Sequence, residues 1–225
     1  MTVEPQTSDI ARIENVPLRV SVADIIRQAI INGSMRPGTP VVEMALAEQL
    51  NVSRAPVREA IQILEADGLI ESEAYKGKRV KSLTLKEVEE IYSLREQFEA
   101  FAIRRVVERE VDVSELRVHS DTMFAAAERN DLAALNEADE AFHRTLIRLA
   151  DHALLGSFWD HLYLRIRQIM ALRNSANRDL RAVAKNHPPI IDAIERRDMI
   201  LAISLISDHT RSASQISPEE LGLAP

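Results

Sequence analysis

The chain has 225 residues, of which 46% are hydrophobic and 4% aromatic, with a formal net charge of −7 and no cysteine. That apolar content is enough for packed cores, and the missing thiols exclude disulfides, thiolate chemistry and Cys-built zinc or iron–sulfur sites. Residues 1–80 hold 9 Lys/Arg against 11 Asp/Glu, and residues 81–225 hold 19 against 24, so neither half could bind nucleic acid through overall positive charge.

Residues 1–17 are polar and irregular and read as a flexible tail, without a basic-then-apolar signal pattern. Val22, Ile25, Ile26, Ala29 and Ile30 then recur at helical spacing, which predicts a helix over residues 21–31 ending at Asn32-Gly33. After the turn Arg36-Pro37-Gly38, a second short helix is expected over residues 43–50. Asn51-Val52 is a tight link, and Ser53 is expected to cap a third helix that tolerates Pro56 in its first turn and stops at Gly68. Leu69-Ile70 and Arg79-Val80, around Tyr75-Lys76-Gly77-Lys78, read as a small hairpin. Thr84-Leu85-Lys86-Glu87 is a capping box that opens a long helix to about Arg109. Helical periodicity then continues over residues 114–129, 132–150, 152–175, 179–185, 187–196 and 199–216. No run is apolar and long enough to cross a bilayer, so the expected setting is the cytoplasm.

The expected fold is therefore mostly α. A winged helix-turn-helix with a small β wing occupies residues 18–81, an all-helical bundle occupies residues 84–216, and residues 217–225 form a second tail. Arg54 and Arg58, one turn apart at the start of the third helix, stand where base edges of a major groove would lie, beside Ser53 at the helix N-terminus. Lys76, Lys78 and Arg79 place charge on the wing. Taken singly, each of these is more often a solvated residue, with Arg54 and Arg58 paired to Glu59 or Glu65, and it is their combination that points to DNA.

The run from Ala45 to Ala60, followed by Leu64-Glu65-Ala66-Asp67-Gly68-Leu69-Ile70, resembles the winged helix of the GntR family of bacterial regulators. The resemblance implies operator contacts by Arg54 and Arg58 and a basic wing on DNA. Ala55 and Met44 stand where relatives carry Thr and Arg, which implies fewer contacts there.

Asp139 and His143 lie four apart on one helix and share a face, while His187 opens a later helix and His209 lies in the last one. One carboxylate and three imidazoles suit a borderline divalent metal, yet spacing alone leaves buried, hydrogen-bonded histidines as the commoner reading. The segment from Leu94 to His209 resembles the effector domain of the FadR-type branch of the same family, through Leu94-Arg95-Glu96-Gln97-Phe98-Glu99, Asp139-Glu140-Ala141-Phe142-His143, His187 and His209. That resemblance implies a divalent metal ion on Asp139, His143, His187 and His209, with Zn the first choice and Ni, Mn, Co or Fe as alternatives. It also implies a small carboxylate effector, with Arg95 as a clamp or else an ion-pair partner of Glu99.

The expected function is a non-enzymatic regulator, more often a repressor in such proteins. It would act as a homodimer on pseudo-palindromic double-stranded operator DNA, with no membrane partner. Two alternatives remain at this point: a metal-dependent hydrolase, and a DNA-binding protein whose metal is purely structural.

Overall fold

The computed structural model describes residues 16–73, 77–176, 179–218 and 221. Helices α1 (Leu18–Ile31), α2 (Glu43–Gln49) and α3 (Arg54–Ala66) precede an antiparallel hairpin of β1 (Ile70–Glu73) and β2 (Gly77–Val80). Seven helices follow: α4 (Leu85–Glu108), α5 (Ser114–Glu128), α6 (Leu132–Leu149), α7 (Ala153–Ala176), α8 (Leu180–Lys185), α9 (Pro188–Glu195) and α10 (Met199–Ser214). This is a helix-turn-helix head with a β wing followed by an all-α bundle, the mostly α fold that the periodicity predicts.

In the head, Val22, Ala23, Ile26 and Ile30 of α1 pack on Val57, Ala60, Ile61 and Leu64 of α3, and Leu69, Ile70 and Val80 close the same core. The tight link between α2 and α3 works because Asn51 adopts a left-handed backbone (φ 52°), a conformation asparagine tolerates. Gly68 ends α3 at φ 71°, which lets the Leu69 amide donate back to the Leu64 carbonyl at 2.9 Å.

The structure revises three local expectations. α1 starts at Leu18, a turn earlier than the periodicity suggests, with the Pro17 carbonyl accepting from the Val20 amide at 2.8 Å. Ser53 holds the N-cap position with an extended backbone but its side chain makes no capping bond, whereas Thr84 forms both halves of its capping box. The hairpin runs beyond the two dipeptides to pair Glu73 with Gly77. On its other edge β2 is held by the Val41 amide donating to the Lys78 carbonyl and by a bridge from Pro40 to Arg79.

The bundle core contains Ile103, Leu116, Met123, Phe142, Leu146, Trp159, Ile190 and Ile206, all at 2% exposure or less. Asp131, Asp179 and Asp198 accept from first-turn amides and so fix where α6, α8 and α10 begin. Beyond α10, Leu221 is fully buried with Leu83, Tyr92 and Ile169, so the segment expected as a C-terminal tail docks at that residue. Helix α7 serves both halves of the molecule. Tyr163 and Ile166 face the bundle core, while Leu164 packs on the core of the head. No described helix is long and apolar enough to cross a membrane.

Candidate functional site

Helices α6 and α10 and the start of α9 bring Asp139, His143, His187 and His209 together inside the bundle, with one ligand atom of each within 4.8 Å of all the others. The helical repeat stacks Asp139 and His143 on the inner face of α6. His187 sits at the N-cap of α9, where Pro188 and Pro189 occupy the first helical positions and lose no backbone bond. Phe142, fully buried, forms edge contacts with the rings of His143 and His187 and fixes their planes.

The spacing within the cluster is that of ligands around a common point. His187 Nε2 lies 3.0 Å from Asp139 Oδ1, His143 Nε2 lies 3.5 Å from the same oxygen, and His209 Nε2 lies 3.3 Å from His143 Nε2. Four bonds of 2.0–2.1 Å in a tetrahedron put neighbouring ligand atoms about 3.4 Å apart. Although buried and close, Asp139 Oδ1 and His187 Nε2 make no hydrogen bond, so their lone pairs are not spent on each other.

An outer partner sets the tautomer that ligation needs in one ring. His187 Nδ1 donates to the Val183 carbonyl at 3.2 Å, so its Nε2 keeps its lone pair toward the cluster, whereas His143 Nδ1 lies 3.1 Å from Glu99 Oε1 and its Nε2 meets Arg95. Electrostatics agree for Asp139 and His209 but not for His143, whose imidazole burial pushes down while Glu99 and Asp139 prevail and raise it. Burial alone would raise the Asp139 carboxyl, but His143 and His187 outweigh it and hold the group well below its usual range. Burial, reinforced by His187 and His143, pushes His209 well down, which favours the neutral imidazole. The donor set therefore fits a divalent cation.

Arg95 is only 1% exposed and reaches this cluster, with its Nη2 atom 2.8 Å from His143 Nε2 and its Nε donating to Glu99 Oε1 at 2.7 Å. The guanidinium also stacks over the Tyr92 ring at 5.1 Å. Arg95 is thus the ion-pair partner of Glu99 that one of its two readings expects, and its other nitrogen faces the cluster. Glu99 is the residue that sequence reasoning undervalued. It is fully buried, and although burial pushes its carboxyl up, Arg95 and then His143 prevail and draw it down to about 2. Its signals in the sequence are the four-residue spacing from Arg95 and its place at the end of the Leu94-to-Glu99 stretch.

On the head, Arg54 and Arg58 are exposed at the start of α3, and both turn to Glu43 at the start of α2. Arg58 Nη2 donates to Glu43 Oε2 at 3.1 Å, and Arg54 lies 3.6 Å from the same oxygen. Glu59 and Glu65, the partners named in the solvated alternative, are instead engaged by Arg19 and Lys78. Lys78 Nζ lies 2.5 Å from Glu65 Oε2 and Arg79 Nε lies 3.1 Å from Glu73 Oε2, while Ser53 is exposed. Lys76 falls outside the described residues. Pro40, Val42, Glu43, Met44, Arg54, Arg58 and Lys78 line one groove of about 610 Å³ between the wing and α3.

Comparison with known proteins decides what this arrangement belongs to. Residues 18–80 match the family model for bacterial regulatory proteins of the gntR family, and residues 90–212 match the FCD domain. The chain belongs to the GntR family. It is a DNA-binding transcriptional regulator, and the hydrolase alternative is set aside. This GntR-family chain is 34% identical over 199 residues to a Paenarthrobacter nicotinovorans protein named "Probable D-xylose utilization operon transcriptional repressor", covering 88% of each chain. It is 31% identical over 192 residues to the gluconate operon transcriptional repressor of Bacillus subtilis, covering 82% of this chain and 78% of that one. Among solved structures, a transcriptional regulator GntR from Rhodococcus sp. RHA1 matches with a TM-score of 0.77 at 25% identity, over 93% of this chain and 100% of that one. E. coli McbR/YncC shares the fold at a TM-score of 0.74 and 21% identity, over 88% and 95% of the two chains.

Proposed function

We propose that this regulator is a homodimeric repressor whose grip on a pseudo-palindromic operator is adjusted by a small carboxylate bound beside a divalent metal ion, Zn by preference. Convergence of Asp139, His143, His187 and His209, with Asp139 Oδ1 and His187 Nε2 buried and without a hydrogen bond, is the observation that carries this reading. The four side chains would hold the ion, which when bound would supply positive charge and an open position for a carboxylate oxygen. Arg95 is the group on this chain suited to grip the other end of that anion, because a guanidinium matches a carboxylate in shape and charge. Where an ion takes His143 Nε2, the Arg95 contact to that atom is released, and the side chain becomes available at the same spot.

On the head, Arg54 and Arg58 would read base edges, with Ser53, Lys76, Lys78 and Arg79 against the backbone. The name of the gluconate operon relative makes sugar acids the first effectors to try.

The reading is tested in two parts. Purified protein should carry one Zn per chain by elemental analysis, lost in His187→Ala, and its melting temperature should rise with gluconate or another hydroxy acid. Genomic fragments retained by the protein should share an inverted repeat and be lost with Arg54→Ala/Arg58→Ala. A metal-free protein that ignores every carboxylate would leave the cluster as core histidines, and a structural metal would show uptake and unfolding on chelation without any carboxylate response.

A further inference from the structure

Two arginines on α7 join the bundle to the head at points that bear directly on both functional sites. Arg167 Nε holds Glu140 Oε2 at 2.6 Å, and its Nη2 donates to Gln28 Oε1 on α1 at 3.1 Å. Glu140 is the residue after Asp139 on α6, so any turn or slide of that helix on ligation moves it. Two residues back, Arg165 Nη1 donates to the Gly68 carbonyl at 3.2 Å, where α3 ends, and to Gln168 Oε1 at 3.1 Å. Its Nη2 lies 3.7 Å from Glu87 Oε1 in the first turn of α4. Leu164, beside them, packs into the core of the head. Arg165 is 8% exposed, and its hydrogen bonds to Gly68 and Gln168 offset part of the cost of burying a guanidinium. It also sets a cation against the carbonyl end of α3, which the helix dipole favours.

We propose that Arg165 and Arg167 are positioning residues through which the helix carrying Asp139 and His143 sets the placement of the DNA-reading head. Glu140 reports the position of α6 to Arg167. That residue draws on α1, while Arg165 holds the far end of α3, so α1 and α3 move together as one body with their shared core. The relay rests on the metal reading above, because ligation is its input. Energetic linkage between the two sites is reciprocal, so operator DNA must change metal affinity by the factor by which metal changes operator affinity.

The experiment measures the Zn dissociation constant of the full-length protein, free and saturated with a genomic fragment recovered as above, using a chromophoric chelator. The wild type should show a ratio that departs from one by about fivefold or more. Arg167→Met, which keeps the aliphatic stem, should bring the ratio within twofold of one while leaving Zn affinity of the DNA-free protein unchanged. Arg167→Lys should restore part of the ratio, since an ammonium still reaches Glu140, a rescue that a merely structural role does not call for. A wild-type ratio retained in Arg167→Met overturns the relay, as does a ratio of one in wild type that has taken up Zn. Absence of Zn uptake by the wild type instead fails the metal reading, and the relay falls with it.

Discussion

The Arg95–Glu99 pair gives the most demanding test of how the cluster is built. Their side chains are 1% and 0% exposed and meet at 2.7 Å, so water cannot compensate either charge if its partner is lost. Glu99→Gln keeps the shape and one acceptor oxygen but strands the Arg95 guanidinium, which Glu99 and Tyr92 hold protonated against the opposing effect of burial. Breaking a buried pair from one side costs about 3–5 kcal/mol. For a chain of this size that corresponds to a fall of roughly 6–20 °C in the melting transition of the bundle. Removing both charges in Arg95→Met/Glu99→Leu should recover most of the loss, because two apolar side chains of similar volume suit the same space. The assay is thermal unfolding of chelator-stripped protein at neutral pH, so that no bound ion contributes. A parallel titration of the refolded variants with Zn should show a 10–100-fold weaker site in Glu99→Gln, since His143 loses the carboxylate charge beside its Nδ1 atom. A Glu99→Gln protein melting within about 2 °C of wild type would refute the claim that burial makes this pair costly to split.

Other consequences are simpler to read. Arg54→Ala and Arg58→Ala should each weaken operator binding on the order of 10–100-fold and blur base preference at one position per half-site, as measured by fluorescence anisotropy on a substituted operator series. Leu64→Ala, at a fully buried position where α1, α3 and the hairpin meet, should destabilise the head by about 2–5 kcal/mol in urea titrations. Glu87 carries a pH signature: burial pushes its carboxyl up, but Lys81 at 2.8 Å and the Thr84 capping bonds outweigh it and lower it below the usual 4.5. A depressed carboxylate stabilises the fold above pH 4.5 and loses that contribution as pH falls below it, so Glu87→Gln should flatten the decline of stability below pH 4.5.

Much of this architecture was legible because the chain states it locally. Hydrophobic spacing, Gly68, the Thr84 box and the Pro188-Pro189 pair each specify an element within a few residues, and the elements found lie close to those spans. The edges that slipped are those set by distant partners. Residues 39–41 edge onto β2 through bonds that no local pattern encodes, and Leu221 docks because Leu83, Tyr92 and Ile169 leave it a place. The four candidate ligands could be named as residue types, but their meeting depends on how α6, α9 and α10 pack, which spacing does not fix. Charged partners were the least legible. Glu43 and Arg58 are fifteen positions apart with a turn between their helices, so a reading along α3 alone assigned its arginines to the wrong acids.

The acidic character of the whole chain bears on how such a head can be regulated. Glu43, Glu65 and Glu73 each face a basic residue of the reading surface, so the local positive charge is largely balanced before DNA arrives. If these residues are the DNA contacts, few counterions would be displaced by any one head, and non-specific affinity, which scales with the number of neutralised phosphates, would be small. In the proposed homodimer, tight binding must come from two heads engaging two half-sites together, where the second contact is intramolecular and strong only if the spacing is right. A displacement of one head by a fraction of a helical turn forfeits that advantage without breaking any single contact. A head with a strong electrostatic hold of its own would stay on DNA through such a movement. A weakly held head, tied to α7 at Gln28 and Gly68, would not, and on the proposed relay modest motion of α6 would then suffice to change occupancy.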